Sequence, residues 1–335
     1  MSKPTRTELR QAIEVSLEIL GSPSTNDALS VRELEAVSTA HGPALVGIDA
    51  TNSPHLLLAV DASRPAVETR PGSSVSARRR ELRHSGDLQV FIDVACHVPR
   101  LSRLFMLLCT DLLERVSQAR DDPDAIVGKT LEEWRSLVAR AQSKLDESTA
   151  RGLFGELHQL EYLLDIDSGA LRCWHGPEGA DHDLFAGSTA LEVKSLGRRG
   201  AIIEIHGVRQ LEPPTGGELV LCVQTVETRT DGDSLGMMVE RVQDRTSNRS
   251  LFSDRLALLG LEEGEPQLET YRFVVTEERY FRVEDGFPRL VPSDLVGGSL
   301  HPAIRNLKYV VDLSSANTGI DVDEAHSFRK RMLTC

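Results

Sequence analysis

The chain opens with apolar residues at helical spacing. Leu9, Ile13, Leu17 and Leu20 share one face, so a helix is predicted over about 5–20, ended by Gly21-Ser22-Pro23-Ser24. The pattern then changes to short, continuous apolar runs. Residues 44–48 and 56–60 flank Asn52-Ser53-Pro54 and predict a hairpin, and 89–94 predict another strand. Helical spacing returns over 101–116 and again over 131–141. Residues 1–120 thus read as a β-rich domain closed by a helix. The acidic, proline-containing Asp121-Asp122-Pro123-Asp124 marks the expected boundary.

A second part, 121–335, mixes the two patterns. Leu153, Leu157, Leu160 and Leu164 form the apolar stripe of a helix over about 146–164. Strand-like runs follow at 182–185, 190–195 and 201–206. Another, 218–225, comes after the turn Pro213-Pro214-Thr215-Gly216-Gly217. A helix over about 234–245 precedes strands at 271–275, 280–283 and 307–313. This order predicts an α/β (α+β) domain. No internal repeat or low-complexity tract interrupts it.

With 335 residues, 40% hydrophobic and 27% charged, the chain has the composition of a globular protein with an ample core. The longest apolar run, 104–109, is far short of the ~18 residues a membrane helix needs. No apolar stretch follows Met1-Ser2-Lys3-Pro4-Thr5-Arg6, so no signal peptide is expected. The five cysteines, Cys96, Cys109, Cys173, Cys222 and Cys335, are widely spaced and include no C-x-x-C. That favours a reducing cytoplasm over a disulfide framework or structural zinc. The net charge is −13, and most of it (−10) lies in 151–335. Such a chain repels nucleic acid at long range, so DNA binding would need local basic patches or metal ions. With aromatics at 4%, a stacking platform for single strands is not expected.

The excess acid contains a pattern with chemical meaning. Asp183 falls in one predicted strand, and Glu192 and Lys194 fall in the next, across the turn Ala186-Gly187-Ser188-Thr189. Strand alternation puts Glu192 and Lys194 on one face and turns Val193 to the core. Two carboxylates and an ammonium then converge. Carboxylates suit Mg²⁺, and a lysine beside them can position or deprotonate an attacking water. Asp181 is close enough to compete with Asp183 as a ligand. Glu156 and Glu161 flank the stripe of the preceding helix about equally, and periodicity does not choose between them.

Asp183, eight residues, then Glu192-Val193-Lys194 resembles the D…(D/E)-x-K signature of PD-(D/E)XK nucleases. The helix opening at Gly152-Leu153-Phe154-Gly155-Glu156-Leu157 is similar to the one that supplies a further metal-binding glutamate there, and Glu156 is the matching position. Residues 104–113, Trp174-His175-Gly176-Pro177, 190–195, Gln210-Leu211-Glu212-Pro213 and Phe287-Pro288-Arg289 resemble a bacterial group of such proteins found with restriction and phage-defence genes. His182 stands where the signature has proline.

The resemblance implies a restriction-endonuclease-like mixed sheet flanked by helices. It implies Mg²⁺ as cofactor, with Mn²⁺ as a substitute, held by Asp183, Glu192 and Glu156. It implies Lys194 on the nucleophilic water, and double-stranded DNA cut to 5′-phosphates. Gln210 then contacts the metal-bound water or the DNA backbone, unless it is merely a turn residue. Cutting two strands requires two sites, so a homodimer or an assembly is expected. A DNA methyltransferase and an ATPase or helicase-like subunit are the implied partners. The competing expectation is a catalytically silent nuclease-fold scaffold in a defence complex.

Cations for phosphate contact are sought at Arg198 and Arg199, next to the Lys194 strand. Others are the stripe Arg241, Arg245 and Arg249 and the cluster Arg78, Arg79, Arg80 and Arg83, although such charges are commonly just solvated. His158, His182 and Asp181 lack the spacing of a zinc site. Gly128-Lys129-Thr130 is no P-loop, because Pro123 stands where its first glycine belongs.

Overall fold

The computed structural model describes residues 3–21, 29–63, 74–118, 122–142, 144–298, 300–301, 303–304 and 307–334. Ser22, Pro23 and Ser24 of the expected helix terminator, Asp121 of the expected boundary, and Cys335 lie outside these. The chain forms two compact units, 1–143 with 257–260, and 144–256 with 261–335.

The first unit contains α1 (Arg6–Leu20), β1 (Ser30–Thr39), β2 (Gly42–Ile48), β3 (Pro54–Ala59), β4 (Val75–His84), β5 (Asp87–Cys96), α2 (Ser102–Gln118) and α3 (Pro123–Gln142). Thr5 and Glu8 form a capping box that starts α1. The strands form an antiparallel sheet in the order β1-β2-β3-β5-β4. Ala44, Val46, Leu56, Leu58, Ile92 and Val94 pack into the main core with Leu9, Ile13, Leu104, Phe105 and Leu108. Leu45, Leu57, Ala59 and Phe91 make a second cluster on alternate positions of the same strands. Burial on both faces explains why these strands read as continuous apolar runs.

The expected break near 121 falls instead after α3. Val127 is fully buried in the main core, Trp134 Nε1 donates to Asp111 Oδ2 at 2.8 Å, and Arg115 pairs with Glu133 at 2.6 Å, which ties α3 to α2.

The second unit is built from α4 (Glu147–Leu164), β6 (Leu184–Ala186), β7 (Thr189–Leu196), β8 (Ile202–His206), β9 (Glu218–Ser234), α5 (Leu235–Arg245), most of α6 (Arg249–Leu258), β10 (Arg272–Arg282), β11 (Lys308–Asp312), β12 (Gly319–Ile320) and α7 (Val322–Thr334). Its sheet runs β12-β10-β9-β7-β6 and is mixed: β7 and β9 are parallel, and the other pairs are antiparallel. β8 and β11 form a separate two-stranded ribbon. Its inner residues Ile203, Ile205 and Val311 pack with Ala190, Leu219, Leu221 and Val223 of the sheet. The two strands expected at 271–275 and 280–283 are one, β10, with a register slip between Val275 and Glu277.

Asp146 caps α4 through Thr149 N–H at 2.7 Å. Gly155 lets this helix lie close to β7, since a Cβ there would overlap Ser195 Oγ. Gln224 of β9 donates to the Gly155 carbonyl at 3.3 Å. Gly155→Ala should therefore destabilise the protein by ~1–3 kcal/mol through overpacking, read as a fall of several degrees in thermal unfolding.

Among the described residues, no helix is long and apolar enough to cross a membrane. Cys96, Cys109, Cys173 and Cys222 are buried and unpaired.

Candidate active site

Asp183 lies one residue before β6, not within a strand as its neighbours suggested. The β6–β7 ladder starts at Leu184↔Leu191. Asp183 extends it by side chain: its Oδ2 accepts from Val193 N–H at 2.9 Å. Its carbonyl accepts from the N–H groups of His175 (2.8 Å) and Gly176 (3.0 Å). Glu192 and Lys194 share a face of β7, with Nζ 2.8 Å from Glu192 Oε1. Lys194 also donates to Gln210 Oε1 at 3.0 Å. That oxygen takes a second bond, from His206 N–H at 2.9 Å, so the turn after β8 fixes the lysine.

The two glutamates left equivalent by helical periodicity separate here. Glu156 turns toward Asp183, and its Oε2 accepts from Trp174 Nε1 at 3.0 Å. Glu161 turns to α5, where it meets Arg241 (2.9 Å) and Arg245 (3.1 Å). Asp181, the alternative to Asp183, is exposed beside Arg209 at 3.5 Å.

Three acids so close together resist ionisation. Burial and the charge of Asp183 push the Glu156 carboxyl up to about 8, against the pull of Trp174 and Lys194. Burial and Glu192 likewise push Asp183 up to about 8. Burial raises Glu192 as well. Burial also works against the charge on Lys194, but Glu192 and Asp183 outweigh it, and the ammonium is held above its ordinary value. Lys194 is thus a fixed positive charge here, held by Glu192 and Gln210.

Glu192 is fully buried, and its partner on β7 is the Lys194 ammonium at 2.8 Å. A buried carboxylate flanked by two more is a donor set suited to a hard divalent cation. Gly176 adds a cradle, since a Cβ there would lie 2.8 Å from Glu156 Oε2 and 3.4 Å from Asp183 Oδ1. Asp183, Glu192 and Glu156 are the residues that could hold the ion. Among the described residues, however, no three His, Cys, Asp or Glu side chains close on one point as ligands would.

The expected phosphate contacts divide. Arg198 is exposed in the bend after β7 and makes no ion pair among the described residues. Arg199, also exposed, reaches Glu277 at 3.1 Å. Arg241 and Arg245 are not available in this arrangement: Arg241 is shared between Glu161 and Asp233 (2.9 Å each), and Arg245 between Glu161 and Asp165 (3.1 and 3.0 Å). They join α5 to α4 and neighbouring acids. Arg249 pairs with Asp244 at 2.9 Å. In the first unit, Arg79 reaches Asp124 at 3.1 Å and Arg80 the buried Asp93 at 2.7 Å. His158 faces Glu278 at 3.6 Å.

Sequence reasoning gave no role to Trp174 or Gly176, although both lie in a stretch that carries the resemblance. A tryptophan, one of only two in the chain, nine residues before the aspartate was the available signal.

The chain matches, over residues 18–314, the family described as "Putative PD-(D/E)XK family member (DUF4420)". No curated protein and no solved structure matches it. The mixed sheet flanked by helices agrees with the restriction-endonuclease-like fold, and members of the PD-(D/E)XK superfamily are typically nucleases. With the match spanning most of its length, this chain belongs to that PD-(D/E)XK-type family.

Proposed function

We propose that this protein is a divalent-metal-dependent endonuclease that hydrolyses phosphodiester bonds of double-stranded DNA, leaving 5′-phosphates. The observation that carries the reading is Glu192: a fully buried carboxylate set against one ammonium, Lys194, and beside two more acids. Asp183, Glu192 and Glu156 would hold Mg²⁺ or Mn²⁺. Such an ion, when bound, neutralises phosphate charge and activates water.

The remaining work falls to the chain itself. Lys194, fixed by Gln210, offers its ammonium to the attacking water and the scissile phosphate. Gln210 thereby acts on the lysine rather than directly on substrate. Arg198 and Arg199, on the bend that follows the Lys194 strand, are the cations nearest in sequence for the DNA backbone.

Within this reading the enzyme works as a homodimer in the cytoplasm, as the cutting component of a restriction or anti-phage system. A methyltransferase and an ATPase-type subunit are its partners. The four buried, unpaired cysteines support a reducing compartment.

A silent scaffold is favoured by one observation: among the described residues the acids do not close on one point as ligands would. Incubation with supercoiled plasmid separates the two readings. Nicking is expected with Mg²⁺ or Mn²⁺ and none with EDTA, and Lys194→Ala should slow it by about 10²–10³-fold. No cleavage with either ion, alone or with partner subunits, leaves the scaffold as the function.

A further inference from the structure

The chain segment between α4 and β6 touches both outer acids at once. Trp174 is fully buried, its ring packed at 5.8 Å from that of Phe252, and its indole N–H takes Glu156 Oε2 at 3.0 Å. Its main chain bridges to Leu184, the residue after Asp183. The next two N–H groups, of His175 and Gly176, hold the Asp183 carbonyl. Gly176 then stands between the two carboxylates, with no side chain to part them: a Cβ would come within 2.8 Å of one and 3.4 Å of the other. Its backbone lies outside the left-handed region, so the need for glycine here comes from space and not from conformation. A side-chain donor grips Glu156, backbone donors grip Asp183, and a bare Cα keeps the pair close.

We infer that Trp174 is a positioning residue for metal binding, and that 174–176 acts as a splint setting the separation and aim of Glu156 and Asp183. This rests on the metal-dependent reading above and names the part of the chain that prepares it. A carboxylate with one oxygen held by a buried indole cannot swing away, so less order is lost when a cation arrives. Outer partners of metal ligands typically act in this way, and their loss weakens binding about 10–100-fold.

The test uses the full chain and Mn²⁺ alone, followed by calorimetric titration. Trp174→Phe keeps an aromatic ring against Phe252 and removes the donor, together with part of the indole's bulk. Gly176→Ala keeps Trp174 and pushes Glu156 off its bond. Each is expected to bind Mn²⁺ about 10–100-fold more weakly than the wild type. A second readout is independent of cleavage. With Trp134→Phe, Trp174 is the only tryptophan, and its fluorescence should be quenched as Mn²⁺ binds, to a saturation that matches the calorimetric curve.

Wild-type affinity in both variants, or no quenching, overturns the inference and leaves the nuclease reading standing. Failure of the wild type to bind Mn²⁺ overturns both. Should Trp174→Phe not fold, Gly176→Ala and the quenching decide.

Discussion

Asp183→Asn should lower metal-dependent plasmid cleavage by about 10²–10³-fold or more, while the metal-free protein melts at a higher temperature than the wild type. The two effects have one cause. Asparagine retains an oxygen to accept from Val193 N–H, so the ladder extension survives. What is lost is a negative charge that burial and Glu192 already disfavour, shown by a carboxyl pushed up to about 8. Removing it relieves the apo protein and deprives the ion of a ligand. The gain in stability should be small at pH 5, where the wild-type group is protonated, and full above pH 8. Cleavage assays with Mn²⁺, and thermal unfolding at both pH values, check this. Equal activity, or a lower melting temperature at pH 9, would remove Asp183 from the site.

Stability of the wild type without metal should fall as pH rises from about 4 to about 8. Asp183 and Glu156 carry carboxyls raised from 3.8 and 4.5 to about 8. Across that window the folded state holds protons that the unfolded chain has released. Unfolding is therefore favoured as protons become scarce, and the loss is complete above the folded values. Each tenfold gain in a carboxyl's proton affinity on folding corresponds to ~1.4 kcal/mol, so the decline should be plain in the melting temperature. Mg²⁺ or Mn²⁺ should reverse the decline, with little effect at pH 5 and a large one at pH 8. Cleavage should climb over the alkaline part of the same range. A melting temperature that rises from pH 5 to pH 8 without metal would contradict the raised carboxyls.

What the sequence disclosed follows what periodicity can carry. α1, α2, α4 and α5 were legible because each buries one stripe, and β2, β3 and β7 because they are runs of apolar residues. β4 was not, since Val75-Ser76-Ala77-Arg78-Arg79-Arg80 is an edge strand whose charges hide its alternation. α3 could be found but not assigned, because its hold on α2 includes the Trp134–Asp111 bond and the Arg115–Glu133 pair, which leave no period. The neighbourhood of Asp183, Glu192 and Lys194 follows from strand alternation and one short turn. The choice of Glu156 over Glu161 does not, because it depends on where Arg241, Arg245 and Trp174 arrive from elsewhere in the chain. For the same reason Arg241 and Arg245 read as free cations in sequence and are paired in space.

Parallel pairing of β7 with β9 obliges the chain to leave one end of the sheet and return to the other, and residues 197–217 make that journey. The lysine's partner Gln210 rides on this return path, anchored at His206, the last residue of the narrow β8–β11 ribbon. Breathing of the ribbon would therefore slacken Lys194 without disturbing β7 itself. Amide exchange at His206 should follow the ribbon's own opening and run faster than exchange within β7, making that corner the place where the hold on Lys194 first loosens on warming.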